Sequence, residues 1–159
     1  PLLFSFIALF FMLFHSLTDI ESGYIYDQWA LAMAAVSMLA RIPGGLGSMI
    51  DGATGAALGF VFIYSIILLS RGGMGMGDAM MMLGVGALLG WKLTILSLYL
   101  GFMSGGIIVI PLLAAKKLSR KDAVPLGPYL AAGCILAIFT GRLIFEYLGF
   151  SLGWPWSNI

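Results

Sequence analysis

Arg71-Gly72-Gly73-Met74-Gly75-Met76-Gly77-Asp78-Ala79-Met80 decides how the rest of this sequence is read. Gly72, Gly73, Gly75 and Gly77 open a loop that leads directly into the apolar run 80–89, so one aspartate stands at the head of a greasy helix. Asp78 has two readings. As an N-cap it accepts backbone N–H bonds from the first helical turn. As a carboxylate entering hydrocarbon it costs roughly 2.5 to 3.5 kcal/mol on insertion scales and marks a functional site. The cap accounts for the aspartate and leaves the glycines without a purpose. Glycine permits positive φ and the close approach of a second backbone, which a peptide bound at a hydrolytic site requires.

Outward from this stretch, the chain reads as membrane. Its 159 residues are 61% hydrophobic and 9% charged, with mean hydropathy +1.06, a balance that no water-soluble domain sustains. Apolar runs approaching the roughly 20 residues that cross a bilayer predict an all-α, polytopic protein of about six transmembrane helices, at 2–17, 29–40, 49–70, 78–89, 93–114 and 127–148, in one membrane-embedded domain, 1–159. The second and fourth are short. The run 2–17 lacks a basic leading region and a small-residue cleavage site, so it reads as a helix rather than a signal peptide. Gly55 with Gly59, and Gly101 with Gly105, are small-xxx-small pairs suited to close helix packing. A net charge of +1 gives no basic surface for nucleic acid. The single cysteine, Cys134, supports neither an internal disulfide nor a cysteine metal site and reads as a small buried hydrophobe.

Basic residues fix the expected orientation. Arg71, Lys116, Lys117, Arg120 and Lys121 fall in the third and fifth loops, on the side shared by the first loop, while Arg41 and Lys92 fall opposite. The positive-inside rule then puts the first, third and fifth loops in the cytoplasm and both termini outside. The first loop, Leu17-Thr18-Asp19-Ile20-Glu21-Ser22-Gly23-Tyr24-Ile25-Tyr26-Asp27, brings three acids to the side where Asp78 lies. Four acids on one face suggest a divalent-cation site or an acid pair sharing a proton. A hard cation wants six or more oxygens, and the loop has no regular ligand spacing, so metal is the weaker idea. If the helix continues through Asp19 and Glu21, those two point different ways, and one of them meets Asp78. Two carboxyls held close share one proton, because both cannot ionise cheaply; one acts as base on a water and the other donates to a scissile carbonyl.

Three stretches then resemble the type IV prepilin peptidases, a family of G-x-G-D membrane aspartic proteases. Asp19 to Asp27 resembles the family's D-x-x-x-x-x-I-P-D/N segment. Gly75-Met76-Gly77-Asp78-Ala79-Met80-Met81, with Gly84, Gly86 and Gly90-Trp91 downstream, resembles its G-x-G-D-x-K-L motif. Val124-Pro125-Leu126-Gly127-Pro128-Tyr129-Leu130-Ala131 resembles its P-F-G-P-F/Y-L-A signature. The departures are Tyr26 in place of proline, Met80 in place of lysine, and Glu21 where many members have a second aspartate. The resemblance implies a peptidase that removes the short basic leader of type IV prepilins and pseudopilins at the cytoplasmic face of the plasma membrane, after a glycine, with no cofactor. By motif position Asp19 and Asp78 are the catalytic pair, supported by Gly75, Gly77, Glu21 and Asp27. Larger bacterial members also methylate the new amino terminus with S-adenosylmethionine and carry a cytoplasmic domain with paired C-x-x-C motifs. No such domain is present in this sequence, and the second activity is not expected of it.

Helix ends sharpen the expectation. Asp19 lies near the partially negative C-terminal end of its helix and Asp78 at the partially positive N-terminal end of its own, which favours Asp78 as the ionised member by roughly 0.3 to 1 kcal/mol. The rival from another class is a small ion- or proton-coupled transporter using the same acids. A nearer rival is a presenilin-like protease, whose Tyr-Asp letters occur at Tyr26-Asp27, but in a polar loop. His15, one turn before Asp19, reads as a packed histidine. Arg142 and Glu146 read as an i, i+4 pair, Trp154 and Trp156 as an interfacial anchor, and Met74, Met76 and Met80 to Met82 as flexible packing.

Overall fold

A computed structural model describes residues 2–22, 27–69, 75–114 and 126–158, with the side chains at 20–22, 112–114 and 158 outside that description. Six α-helices make up the described chain: α1 (Leu2–Ser22), α2 (Asp27–Arg41), α3 (Gly45–Leu69), α4 (Met76–Leu89), α5 (Trp91–Ala114) and α6 (Gly127–Tyr147). Short 3-10 turns lie at Ile42–Gly44 and Trp156–Asn158. The stretches Leu2–Asp19, Asp27–Leu69, Trp91–Pro111 and Gly127–Tyr147 are long and apolar enough to cross a membrane, and α4 is a shorter apolar helix. The protein is therefore an all-α, multi-pass membrane protein, with no strand among the described residues.

The short helix is the centre. α4 packs against α2 and α3 along its length and touches α1, α5 and α6 as well, so most of its residues are buried, from Asp78 to Leu89. Lipid tails are as apolar as leucine, so association here depends on close packing rather than on a hydrophobic drive. Small residues provide it. A Cβ built on Gly55 of α3 would run into the Gly86 carbonyl of α4, and one on Gly59 into Met82. Gly101 of α5 meets Tyr129 and Leu130 of α6 in the same way, with its would-be Cβ 3.2 Å from the Tyr129 carbonyl. Both small-residue pairs thus act in packing. α4 stops where Gly90 takes φ 78°, a left-handed conformation that favours glycine; a side chain there would also collide with Asp51.

Several boundaries differ from the sequence expectation. α1 continues to Ser22, so Asp19 and Glu21 belong to a helix rather than a loop. Arg41 and Lys92, read as loop charges, both lie in helices, at the end of α2 and the start of α5. Arg41 is wholly buried. Its Nε donates to the Ala87 carbonyl at 2.8 Å and its Nη2 to Leu88 at 3.0 Å, which satisfies carbonyls at the C-terminus of α4. Its Nη1 reaches the Ser48 carbonyl at 2.9 Å, Asp51 Oδ2 at 3.1 Å and the Trp154 carbonyl at 3.2 Å. Trp156 is buried too. With Trp154 it packs edge-on against Phe4 of α1, so the C-terminal turn folds onto the bundle instead of anchoring at the interface. Arg142 and Glu146 do form the expected exposed pair, at 2.7 Å, and Cys134 is buried and free.

Candidate active site

At the end of the bundle opposite Arg41, three helix termini converge: the last turn of α1, the first turn of α4 and the first turn of α6. α4 begins two residues before Asp78. Gly75 is its N-cap, with φ −77° and ψ 146°, so Asp78 is the third helical residue and not the cap. Its carboxylate reaches back to a backbone hydrogen bond from Gly75, the carboxylate half of a capping box. Gly75 itself has an ordinary extended conformation. Positive φ occurs at Gly45, Gly90 and Gly149 among the described residues, and a Cβ at Gly75 would meet Asp78 Oδ2 at 3.9 Å, an ordinary contact. The folded backbone therefore does not demand glycine at 75. Gly77 lies half-buried in the first turn, and Arg71 to Met74 lie outside the described residues.

Asp19 comes from α1. It is 7% exposed and Asp78 is 8% exposed, low values for carboxyls. Asp19 Oδ2 accepts the Gly127 N–H at 2.9 Å. Asp78, in the short helix outside the four spanning stretches, is pushed up to about 6, first by burial and then by the Asp19 charge, against the hydrogen bond from Gly75. The two acids thus lie within electrostatic range of each other. That direction opposes the helix-end expectation, which favours an ionised Asp78. The dipole effect is worth less than one pKa unit, and burial beside a like charge outweighs it.

Of the other expected residues, Glu21 lies on α1 with its side chain outside the described set. Asp27 opens α2 with its side chain exposed, while the charge acting on Asp78 is that of Asp19. Tyr24, Tyr26, Val124, Pro125 and the basic residues Lys116 to Lys121 lie outside the described residues. Among those described, no group of three or more His, Cys, Asp or Glu side chains is gathered as a metal site would need.

Sequence reading missed Gly127 as a contact of Asp19. The signal was the Val124 to Ala131 motif, in which Gly127 and Pro128 stand together where an apolar helix begins. His15 is packed, as expected, with its ring against Phe11 and Phe14. Both of its ring nitrogens are buried and have no hydrogen-bond partner among the described residues.

A family model described as the type IV leader peptidase family matches residues 6–110 of the chain, a stretch that contains both acids. The chain is 29% identical over 139 residues to the prepilin leader peptidase/N-methyltransferase of Bacillus subtilis, covering 87% of this chain and 56% of that protein. It is 29% identical over 131 residues to the protein of that name from Aeromonas hydrophila, covering 79% and 45%. With the Pseudomonas aeruginosa protein the identity is 28% over 142 residues, covering 86% and 49%. The chain thus spans about half the length of these curated relatives. No solved structure matches it.

Proposed function

Because the chain belongs to the type IV leader peptidase family, we propose that it is a membrane aspartic endopeptidase that removes the basic leader of type IV prepilins or pseudopilins through Asp19 and Asp78. In this reading the cut falls after a glycine at the cytoplasmic face of the plasma membrane, and both termini lie outside. The observation that carries it is the meeting of two nearly buried carboxyls, from α1 and α4, at one end of the bundle and within charge range.

The chemistry needs both. One carboxylate takes a proton from a water as the oxygen attacks the scissile carbonyl. The other, protonated, gives its proton to the carbonyl oxygen. The tetrahedral intermediate collapses, the C–N bond breaks, and a proton passes to the leaving amine, which becomes the new amino terminus. An end of the bundle that bears acids also attracts a basic leader, while lipid holds the apolar helix that follows it. The exposed, extended backbone at Gly75 offers a place where a peptide strand lies alongside the chain.

The test is leader removal in liposomes, read by mass, with the native protein beside Asp19→Asn and Asp78→Asn. Cleavage after the glycine by the native protein and by neither variant is the expected result. Substrate left intact by the native protein would sink the peptidase, and ion flux in the same vesicles would then favour the transporter.

A further inference from the structure

We propose that Gly127 is a positioning residue for the acid pair: its N–H holds the Asp19 carboxylate in one orientation and in its ionised form, which leaves Asp78 to bring the proton. This rests on the peptidase reading and assigns the two acids their separate parts. Asp19 activates the water, and Asp78 protonates the carbonyl oxygen.

Two observations point the same way. The first is the contact itself, a buried N–H to Oδ2 bond of 2.9 Å between residues far apart in sequence. A bond from N–H to a carboxylate is stronger than one between neutral groups, and it favours the charged form. It comes from the first turn of α6, where the helix dipole is positive. In that turn Pro128 has no N–H to offer, while the N–H groups of Tyr129 and Leu130 both close onto the Leu126 carbonyl at 3.0 Å. Gly127 therefore supplies the donor, and Asp19 takes it.

The second observation is space. A Cβ on Gly127 would lie 2.5 Å from Asp19 Oδ2 and 3.0 Å from its Cγ. Gly127 is not among the glycines with positive φ, so the requirement is for room and not for conformation: only a residue without a side chain lets the head of α6 approach the carboxylate so closely. The α1 dipole, which favours a protonated Asp19, acts from a helix end at Ser22. The α6 N–H acts at bonding distance.

Among the described side chains, the titratable groups near Asp19 are Asp78 from α4 and His15, one turn earlier on α1. Asp78 is the one in charge contact. A shift in the Asp19 midpoint on removing the Gly127 N–H is therefore read most cleanly where Asp78 is neutral.

The experiment compares the native chain with two variants in liposomes. One is Gly127→Ala. The other has a backbone ester at position 127, made by inserting glycolic acid, which deletes the N–H and adds no side chain. Gly106→Ala, whose new Cβ would meet only Ile110 at 3.8 Å, serves as control. Both 127 variants should lower kcat about tenfold or more with KM within about twofold, and move the acid limb of the pH profile up by about one unit. The ester covers the case in which Gly127→Ala does not fold. A folded ester variant with native kcat and pH profile would overturn the proposal. Infrared titration of the Asp19 carboxyl in Asp78→Asn protein, with and without the ester, needs no turnover. A raised midpoint supports the Gly127 bond even if leader cleavage fails, and an unmoved midpoint rejects it even if cleavage succeeds.

Discussion

The two ends of the bundle both bury charge and treat it differently. At one end Arg41 is enclosed and all three of its guanidinium nitrogens are bonded, by the carbonyls of Ser48, Ala87, Leu88 and Trp154 and by Asp51. At the other, Asp19 and Asp78 lie within charge range of each other, and among the described residues the backbone N–H groups of Gly127 and Gly75 bond to them. A buried charge bonded at each of its nitrogens fixes a structure. Two buried acids within charge range of each other are a different arrangement, of the kind that collects at functional sites.

Removing one charge from each end separates these roles. Asp78→Asn should reduce leader cleavage by about a thousandfold or more and leave thermal unfolding unchanged or slightly raised, because it relieves like-charge repulsion. Arg41→Met should do the reverse. Asp51 and the terminal carbonyls of α4 lose their partner, which costs about 3 to 5 kcal/mol, whereas turnover per folded molecule changes little. Denaturant unfolding in detergent beside a leader assay on the same samples distinguishes them. A stable Arg41→Met protein would mean that the arginine end is not what holds α4 in register.

The glycine stretch gives the next test. Position 75 has room and ordinary dihedrals, so Gly75→Val should unfold within about 0.5 kcal/mol of the native protein. If the glycines serve an approaching peptide, cleavage by Gly75→Val and Gly77→Val nevertheless falls by at least about a hundredfold. Near-normal cleavage by both would remove the stretch from the mechanism.

A smaller effect lies in pH. With Asp78 the proton donor and pushed up to about 6, kcat/KM should fall as pH rises through about that value, since the donor form is lost. Part of that elevation comes from Asp19. In Asp19→Asn protein the Asp78 carboxyl band should therefore titrate at lower pH, and an unmoved band would show that the two acids do not sense each other.

The helices were legible in the sequence because apolar runs of membrane length leave few alternatives, and Asp78 because a carboxylate beside such a run is conspicuous. What escaped was long-range. Acids at 19 and 21 look like the start of a loop, yet α1 continues through them, since a helix at a membrane boundary tolerates polar residues. A lone arginine after an apolar run has the same appearance whether it meets water or the end of another helix. Arg41 is decided by carbonyls of α4 that only the fold brings near. Gly127 is the same case at the other end: its motif was visible, but its acceptor lies on the first helix.

The smallest prediction concerns the second ion pair. Arg142 and Glu146 are joined at 2.7 Å, as Arg41 and Asp51 are at 3.1 Å, but their side chains are about half exposed, at 49% and 58%. Among the described residues, neither side chain caps a helix or bonds to a buried carbonyl. An i, i+4 pair of that exposure is worth about 0.3 to 0.5 kcal/mol, and less as salt rises. Glu146→Gln should thus shift unfolding by no more than about 0.5 kcal/mol and leave cleavage as it is. A shift several times larger would mean that the site around Glu146 is less exposed in the bilayer than in the isolated fold, and that charge is buried there as it is around Arg41. The contrast between the two pairs rests on burial, since their bond lengths are both those of ordinary ion pairs.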